Sequence, residues 1–223
     1  MAEINLLANF NNGKKPDRNA DERAGIITEE IRRIARQYGK EYFDGDRKFG
    51  YGGYHYHPKF WTGVAQDLKK HFSLNEKSKV LDVGCAKGFL LLDLTRIVPG
   101  ISVRGIDISE YAVNHEEVPE NIKKNINLGN AKDLSRFRDK EFDLVLSINT
   151  LHDLPLEECK KALKEIQRVG KRAFISVDAW RDDEEKVKIE KWTINAKTVM
   201  HIDDWKKLFN ELGYKGEYYW FFP

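Results

Sequence analysis

The sequence predicts an α/β fold: a doubly wound, mostly parallel sheet with a helical N-terminal extension. Three observations carry this expectation. Beyond about residue 79, short apolar strands alternate with helical segments, the signature of βαβ units. The apolar runs are continuous, as in "FDLVLSI", which suits strands covered on both faces. The stretch "VLDVGCAKGF" (80–89) reads as a buried strand, a glycine turn and the start of a helix, where doubly wound sheets hold their ligands.

Residues 1–21 are polar, contain "NNGKKPDRNADE", and read as loop or frayed terminus. From Glu22, the residues Ile27, Ile31, Ile34, Tyr38 and Tyr42 recur at helical spacing and form one apolar face. "FDGDRKFGYGGYHYHPKFW" (43–61) breaks that helix. Its glycines oppose a helix and its aromatics are too many for an ordinary solvated loop. A second helix is expected from about Trp61 to Phe72.

The alternation then begins. "KVLDVG" is a strand, and "GFLLLDLTRIV" is a helix ended by Pro99-Gly100. "SVRGIDIS" is a strand running into a helix that Ser109 caps. "NINLGNA" is a short strand and "EFDLVLSINTLH" a strong one. "PLEECKKALKEIQRVG" is a helix with Pro155 near its first turn and Gly170 at its end. "KRAFISVDAW" is a strand and "RDDEEKVKIEK" a solvated helix face. "HIDDWKKLFNELGYKGEYYWFF" closes the chain as a helix and an aromatic strand of the core.

Composition narrows the class. The 223 residues suffice for one domain with a core plus an extension. A 41% apolar fraction and 33% charge describe a solvated globular surface over a core. A formal charge of +2 argues against a strong nucleic-acid binder. Cys85 and Cys159 make neither a disulfide framework nor zinc spacing, so no metal is expected and a reduced, cytoplasmic setting is. "MAEINLLANF" lacks the basic flank of a secretory signal, and no run is long enough for a membrane span.

The glycine turn fails as a dinucleotide fingerprint. The positions of G-x-G-x-x-G hold Gly84, Ala86 and Phe89, and a phenylalanine at the third argues against a pyrophosphate ligand. No G-x-x-x-x-G-K-[ST] is present either. What remains is D-x-G-x-[AG]-x-G, with Asp82, Gly84, Ala86 and Gly88. Asp107 lies 23 residues after Gly84, where an acid at the end of the second strand accepts hydrogen bonds from a ribose. Asn130, with the Ala131 amide, is placed to read adenine at the end of the third strand, and Ile108 to lie against the flat base.

In these motifs the chain resembles the class I S-adenosylmethionine-dependent methyltransferases, whose Rossmann-like fold is doubly wound. "VLDVGCAKGFLL", "VRGIDISEYA", "LGNAKDL" and "FDLVLSINTLHDL" follow that family's motifs in order and spacing. Ala86 and Asn130 depart from its commoner glycine and aspartate, and only one closing strand is clear where the family usually ends in a hairpin. The resemblance implies S-adenosylmethionine as cofactor and S-adenosylhomocysteine as product. It assigns Gly84, Ala86 and Gly88 to the methionine part, Asp82 to its ammonium, Asp107 to the ribose, Asn130 and Ala131 to adenine, and Asn149 and Thr150 to the floor beneath the sulfonium. Residues 73–223 would then be the methyltransferase unit, and 1–72 an extension carrying a lid.

The acceptor is expected to be a small molecule such as a sugar or metabolite, with oxygen and nitrogen both open. "NTLHDL" is not the N-P-P-Y turn of nucleobase amine methylation, and no Pro-Cys turn offers a cytosine-C5 nucleophile. The competing readings are a protein or RNA methyltransferase, a non-catalytic S-adenosylmethionine-binding module and a nicotinamide oxidoreductase. His152 is the candidate general base, against a reading in which it only shapes its loop. Asp153 is expected mainly as the N-cap of the next helix. Tyr51, Tyr54, His55, Tyr56 and His57 are the candidate lid residues, against a reading in which they pack the extension onto the sheet.

Overall fold

A computed structural model describes residues 1–14 and 19–223. The extension contributes strand β1 (Ala2–Glu3) and helices α1 (Ala20–Ile26), α2 (Glu29–Ala35), α3 (Lys40–Asp44) and α4 (Pro58–Phe72). The alternating half follows with β2 (Lys79–Val83), α5 (Phe89–Ile97), β3 (Ser102–Asp107), α6 (Glu110–Val113), α7 (Glu120–Lys123) and β4 (Ile126–Leu128). Then come β5 (Leu144–Ile148), α8 (Leu156–Val169), β6 (Ala173–Trp180), α9 (Asp183–Trp192), β7 (Met200–His201), α10 (Ile202–Glu211) and β8 (Glu217–Phe221).

The main sheet runs β1-β8-β6-β5-β2-β3-β4, and β7 pairs with the end of β6. Every strand pairing is parallel among the described residues. Successive β5 residues divide between the two faces, as the two-residue period of a strand requires. Leu144 and Leu146 join one core layer with Leu68 of α4 and Leu91 and Leu94 of α5. Val145 joins the other with Leu163 and Ile166 of α8 and Trp205 and Phe209 of α10. Both faces of β5 are therefore covered, which is why its sequence is largely apolar.

Two expectations are corrected. The start of the chain is not frayed: Ala2 and Glu3 pair with Glu217 and Tyr218 of β8, and Leu6 is buried in the core. The part of the predicted loop at 15–18 lies outside the described residues. The single helix predicted from Glu22 is three short ones. Ile27 turns extended, the Thr28 side chain accepts from the Ile31 amide and restarts the helix, and Tyr38 at φ 49° ends it before Gly39. The single closing strand read from the sequence is observed: β8 lies parallel to β6.

The far layer is anchored by aromatics. The Phe209 ring is fully buried, stacked on Trp220 at 6.0 Å and tilted against Trp205, Tyr214 and Tyr218. Phe209→Ala is expected to cost about 3–5 kcal/mol through lost burial and the cavity left behind. Urea unfolding should show a lowered midpoint with an unchanged slope, and a loss under about 1 kcal/mol would mean this layer is not part of the cooperative core.

Candidate functional site

The turn after β2 is wound by alternate left-handed residues: Gly84 at φ +86°, Ala86 at +49° and Gly88 at +73°. That region favours glycine, which explains the small-residue spacing. Two of the positions are closed to any side chain as well. A Cβ on Gly84 would meet Thr150 Oγ1 at 2.1 Å, and one on Gly88 would meet Ile126 Cδ1 at 2.2 Å. The first contact seats the end of β5, with Asn149 and Thr150, against the turn. Asn149 is itself left-handed at φ 52° and exposed, its Oδ1 accepting from Ser176 Oγ at 2.9 Å.

Asp107 joins the second strand to the turn. Its Oδ2 accepts from the Ala86 amide at 2.7 Å and its Oδ1 from the Ser109 amide at 2.8 Å. Burial nonetheless holds its carboxyl above the usual carboxylate range. Asp82 is buried, and no donor among the described residues reaches its carboxyl. Burial, then the neighbouring Asp107, push it up to about 7. A buried acid beside a half-buried one, neither bonded to a cation among the described residues, makes a site short of positive charge. Beside them, Ile108 and Leu128 are each 54% exposed, and Asp107 pairs with Leu128 across β3 and β4, so these strand ends carry an apolar ledge. Asn130 lies at its edge with Oδ1 accepting from the Lys132 amide at 3.1 Å, and Ala131 packs its methyl into the core.

The extension covers this end of the sheet. Tyr54 stacks on Phe89 at 5.2 Å with its hydroxyl in the field of Asp82, and Tyr51 packs on Tyr54 at 4.6 Å with its hydroxyl in the field of Asp107. The other candidate lid residues are engaged elsewhere. His55 meets Glu117 at 3.2 Å, the Tyr56 hydroxyl donates to Asp93 at 2.6 Å, and His57 caps α4 through the Lys59 amide.

Beneath the extension lies an ion pair that sequence reasoning missed. Lys87, inside the glycine turn, is fully buried and bonds both carboxylate oxygens of Asp44 at 2.9 and 2.7 Å. Tyr111 donates to the same carboxylate at 2.6 Å, the Tyr54 amide at 2.9 Å, and His115 approaches to 3.3 Å. Burial would raise the Asp44 carboxyl, but Lys87, Tyr111 and Tyr54 outweigh it and hold it down at about 2. The only signal was a lysine among small residues.

His152 and Asp153 occupy a 3-10 turn (Leu151–Asp153) after β5. His152 is 6% exposed, and burial drops its pKa to about 3. Its Nδ1 accepts from the Asp178 amide at 2.9 Å, and its carbonyl receives the Lys197 and Thr198 amides. The neutral ring thus carries its proton on Nε2, and the lone pair a base would use is occupied. Asp153 is not the helix cap; α8 starts on Pro155 without a side-chain cap. Its carboxyl instead accepts from the Tyr38 hydroxyl at 3.2 Å and is pushed up to about 7 by burial. His201 caps α10 through the Asp203 amide.

Residues 81–173 match the family profile described as a methyltransferase domain. A curated Haemophilus influenzae protein of uncharacterised function is 29% identical over 154 residues, covering 63% of this chain. The matched part spans 60% of that relative's length. Among solved structures, a SAM-dependent methyltransferase from Archaeoglobus fulgidus aligns at 22% identity and TM-score 0.52, covering 67% of each chain. The YcgJ protein of Bacillus subtilis aligns at 20% identity and TM-score 0.53, covering 66% of each chain. These structural likenesses establish the fold.

The buried pair yields a prediction. Lys87→Met leaves Asp44 without its cation and is expected to cost about 3–5 kcal/mol, whereas Lys87→Met with Asp44→Leu should recover most of that loss. Denaturant unfolding of the two variants checks this. Equal stability of the single and double variants would show that the charges are not coupled.

Proposed function

We propose that the protein is an S-adenosylmethionine-dependent enzyme, a reading supported by the match of residues 81–173 to a methyltransferase-domain profile and by the likeness of its fold to a SAM-dependent methyltransferase. It would transfer a methyl group to an oxygen or nitrogen of a small molecule, such as a sugar or metabolite. The observation that carries the reading is the acid pair, Asp82 and Asp107, without a cation and beside an exposed apolar ledge.

The residues present fit that cofactor. Its ammonium suits the unpartnered Asp82 carboxyl, which ionises readily once a cation is beside it. Its ribose hydroxyls suit Asp107, whose oxygens each retain accepting capacity beyond one amide bond. Its adenine suits the surface of Ile108 and Leu128, with Asn130 and Ala131 at the edge. The left-handed turn of Gly84, Ala86 and Gly88 lets the chain approach the methionine part closely, with Asn149 and Thr150 alongside.

When bound, the cofactor supplies an electrophilic methyl on sulfonium. The protein's own residues orient the two reactants and exclude water, which is most of what such a displacement requires. Tyr51 and Tyr54 contribute aromatic cover where the extension meets Phe89, and His152 contributes as a clasp between β5 and β6. A basic groove suited to RNA was not expected from the near-neutral charge, and among the described residues no helix is long and apolar enough to cross a membrane.

Calorimetric titration with S-adenosylhomocysteine tests the reading. Binding is expected, with NADH inert. Affinity should rise as pH increases through about 7, because Asp82 must give up its proton to meet the ammonium. Asp82→Asn should bind more weakly and lose that pH dependence. Asp107→Ala should weaken binding at every pH by about 1.5–3 kcal/mol, the range for hydrogen bonds to a charged group. An absence of binding by wild type to either adenosyl ligand would sink the proposal.

A further inference from the structure

We propose that the end of the sheet opposite the glycine turn carries a second binding site, a basic cleft that takes a small phosphate-bearing anion. A cavity of about 300 Å3 opens there, lined among others by Lys140, Lys171, Arg172, Ala173, Lys215 and Glu217. Ala173 is the first residue of β6 and Glu217 the first of β8, so the cleft lies where the strands begin. Asp107 is the last residue of β3, and Gly84 and Asn149 directly follow the last residues of β2 and β5. The strands are parallel, so the cleft and the glycine turn occupy opposite ends of the sheet. A volume of about 300 Å3 is at the lower end of small-molecule sites, which suits a small ligand.

Four cations line the cleft against one acid. Lys171 is neutralised, its Nζ meeting Asp143 Oδ1 at 2.8 Å. Lys140, Arg172 and Lys215 form no ion pair among the described residues. The acid, Glu217, has Oε1 against His71 Nε2 at 2.9 Å, and its Oε2 is sealed from solvent. The whole chain carries a formal charge of only +2, so this excess of cations is a local feature rather than a property of the surface at large.

Most of these cations are held in place by the protein. Lys140 has a left-handed backbone at φ 54°, and its ammonium donates to the carbonyls of Gln167 and Gly170 at 2.6 and 2.9 Å. That cap on the C-terminus of α8 occupies two of its three donors and leaves one over. Arg172 donates to the Phe72 carbonyl at 2.6 Å, with its guanidinium 5.0 Å from the centre of the Phe72 ring, and keeps its other donors. The Lys215 amide is pinned on Gln167 Oε1 at 2.7 Å, while its side chain makes no hydrogen bond among the described residues. Helix capping accounts for Lys140 and ring packing for Arg172, but neither accounts for Lys215 or for three unpaired cations on one cavity. Cations fixed in advance lower the ordering cost of binding. Arginine forks onto phosphate oxygens and lysine supplies point charge, so a phosphoryl group, with several oxygens and more than one charge, matches the set better than a single carboxylate.

The test is a titration of the full chain, 15N-labelled, with inorganic pyrophosphate and with ribose 5-phosphate, using citrate as a polyanion without phosphate. Both phosphates should shift the amide resonances of Gly170, Lys171, Lys215 and Gly216 and leave those of Gly84 and Gly88 in place. Affinity measured by calorimetry should fall as sodium chloride is raised, because the cations are exposed to solvent. Lys215→Glu should weaken pyrophosphate binding about tenfold or more, the scale of one lost hydrogen bond to a charged group. Its melting curve should match wild type, since the Lys215 side chain holds no partner in the fold, and so the loss is not one of folding. Arg172→Gln should weaken binding by a similar factor. Resonances at the cleft indifferent to both phosphates, citrate binding as tightly as pyrophosphate, or undiminished affinity in Lys215→Glu would each overturn the assignment. So would an RNA oligonucleotide that binds tightly and is not displaced by pyrophosphate. None of these outcomes depends on whether the glycine turn binds S-adenosylhomocysteine.

Discussion

The buried ion pair between Lys87 and Asp44 sets the terms for the rest of the structure. Lys87 belongs to the glycine turn after β2 and Asp44 to the end of α3, so one interaction locks the extension onto that end of the sheet. An isolated ammonium in that position would carry a desolvation penalty of several kcal/mol. The extension therefore cannot swing away as a whole without stranding it.

The acids of this region divide according to whether a donor reaches them. Asp44 has Lys87, Tyr111 and a backbone amide, and is held at about 2. Asp82 has no donor and Asp153 has too few, and both titrate at about 7. The two kinds bear on stability with opposite sign. Asp44 has a depressed folded-state pKa, so its contribution is present above the ordinary carboxylate pKa of about 4 and is lost as pH falls through about 2. Asp82 and Asp153 have raised folded-state pKa values, so the folded state binds their protons more tightly. Their stabilisation is present below about 4 and is lost as pH rises through about 7. At neutral pH the site thus works against the fold, as expected where charge awaits a ligand rather than a neighbour.

The fold was legible because its signal is periodic. A strand covered on both faces is apolar at most positions, so "FDLVLSI" announced β5, and the glycine spacing announced the left-handed turn. Asp82, Asp107 and Thr150 were legible as candidates for the same reason, since each is fixed by its distance from a strand end. The extension was not. Ile27 to Tyr42 kept helical spacing while the chain broke twice, at the Thr28 cap and at left-handed Tyr38, neither of which alters the apolar pattern. Lys87 with Asp44, and Asp153 with Tyr38, are contacts between residues 43 and 115 positions apart, which no local spacing encodes. His152 drew notice because a histidine on a loop suggests acid–base work, yet the fold uses its ring as a hydrogen-bond acceptor for β6.

Asp82, Asp107 and Asp153 share one physical circumstance: burial raises each carboxyl above the usual carboxylate range. The parallel strands and the Lys87–Asp44 pair hold the region rigid, so the chain itself brings no new donor to them. Asp82 is the clearest case, because no donor among the described residues reaches it, and a ligand that set a cation beside it would remove the cost of its charge.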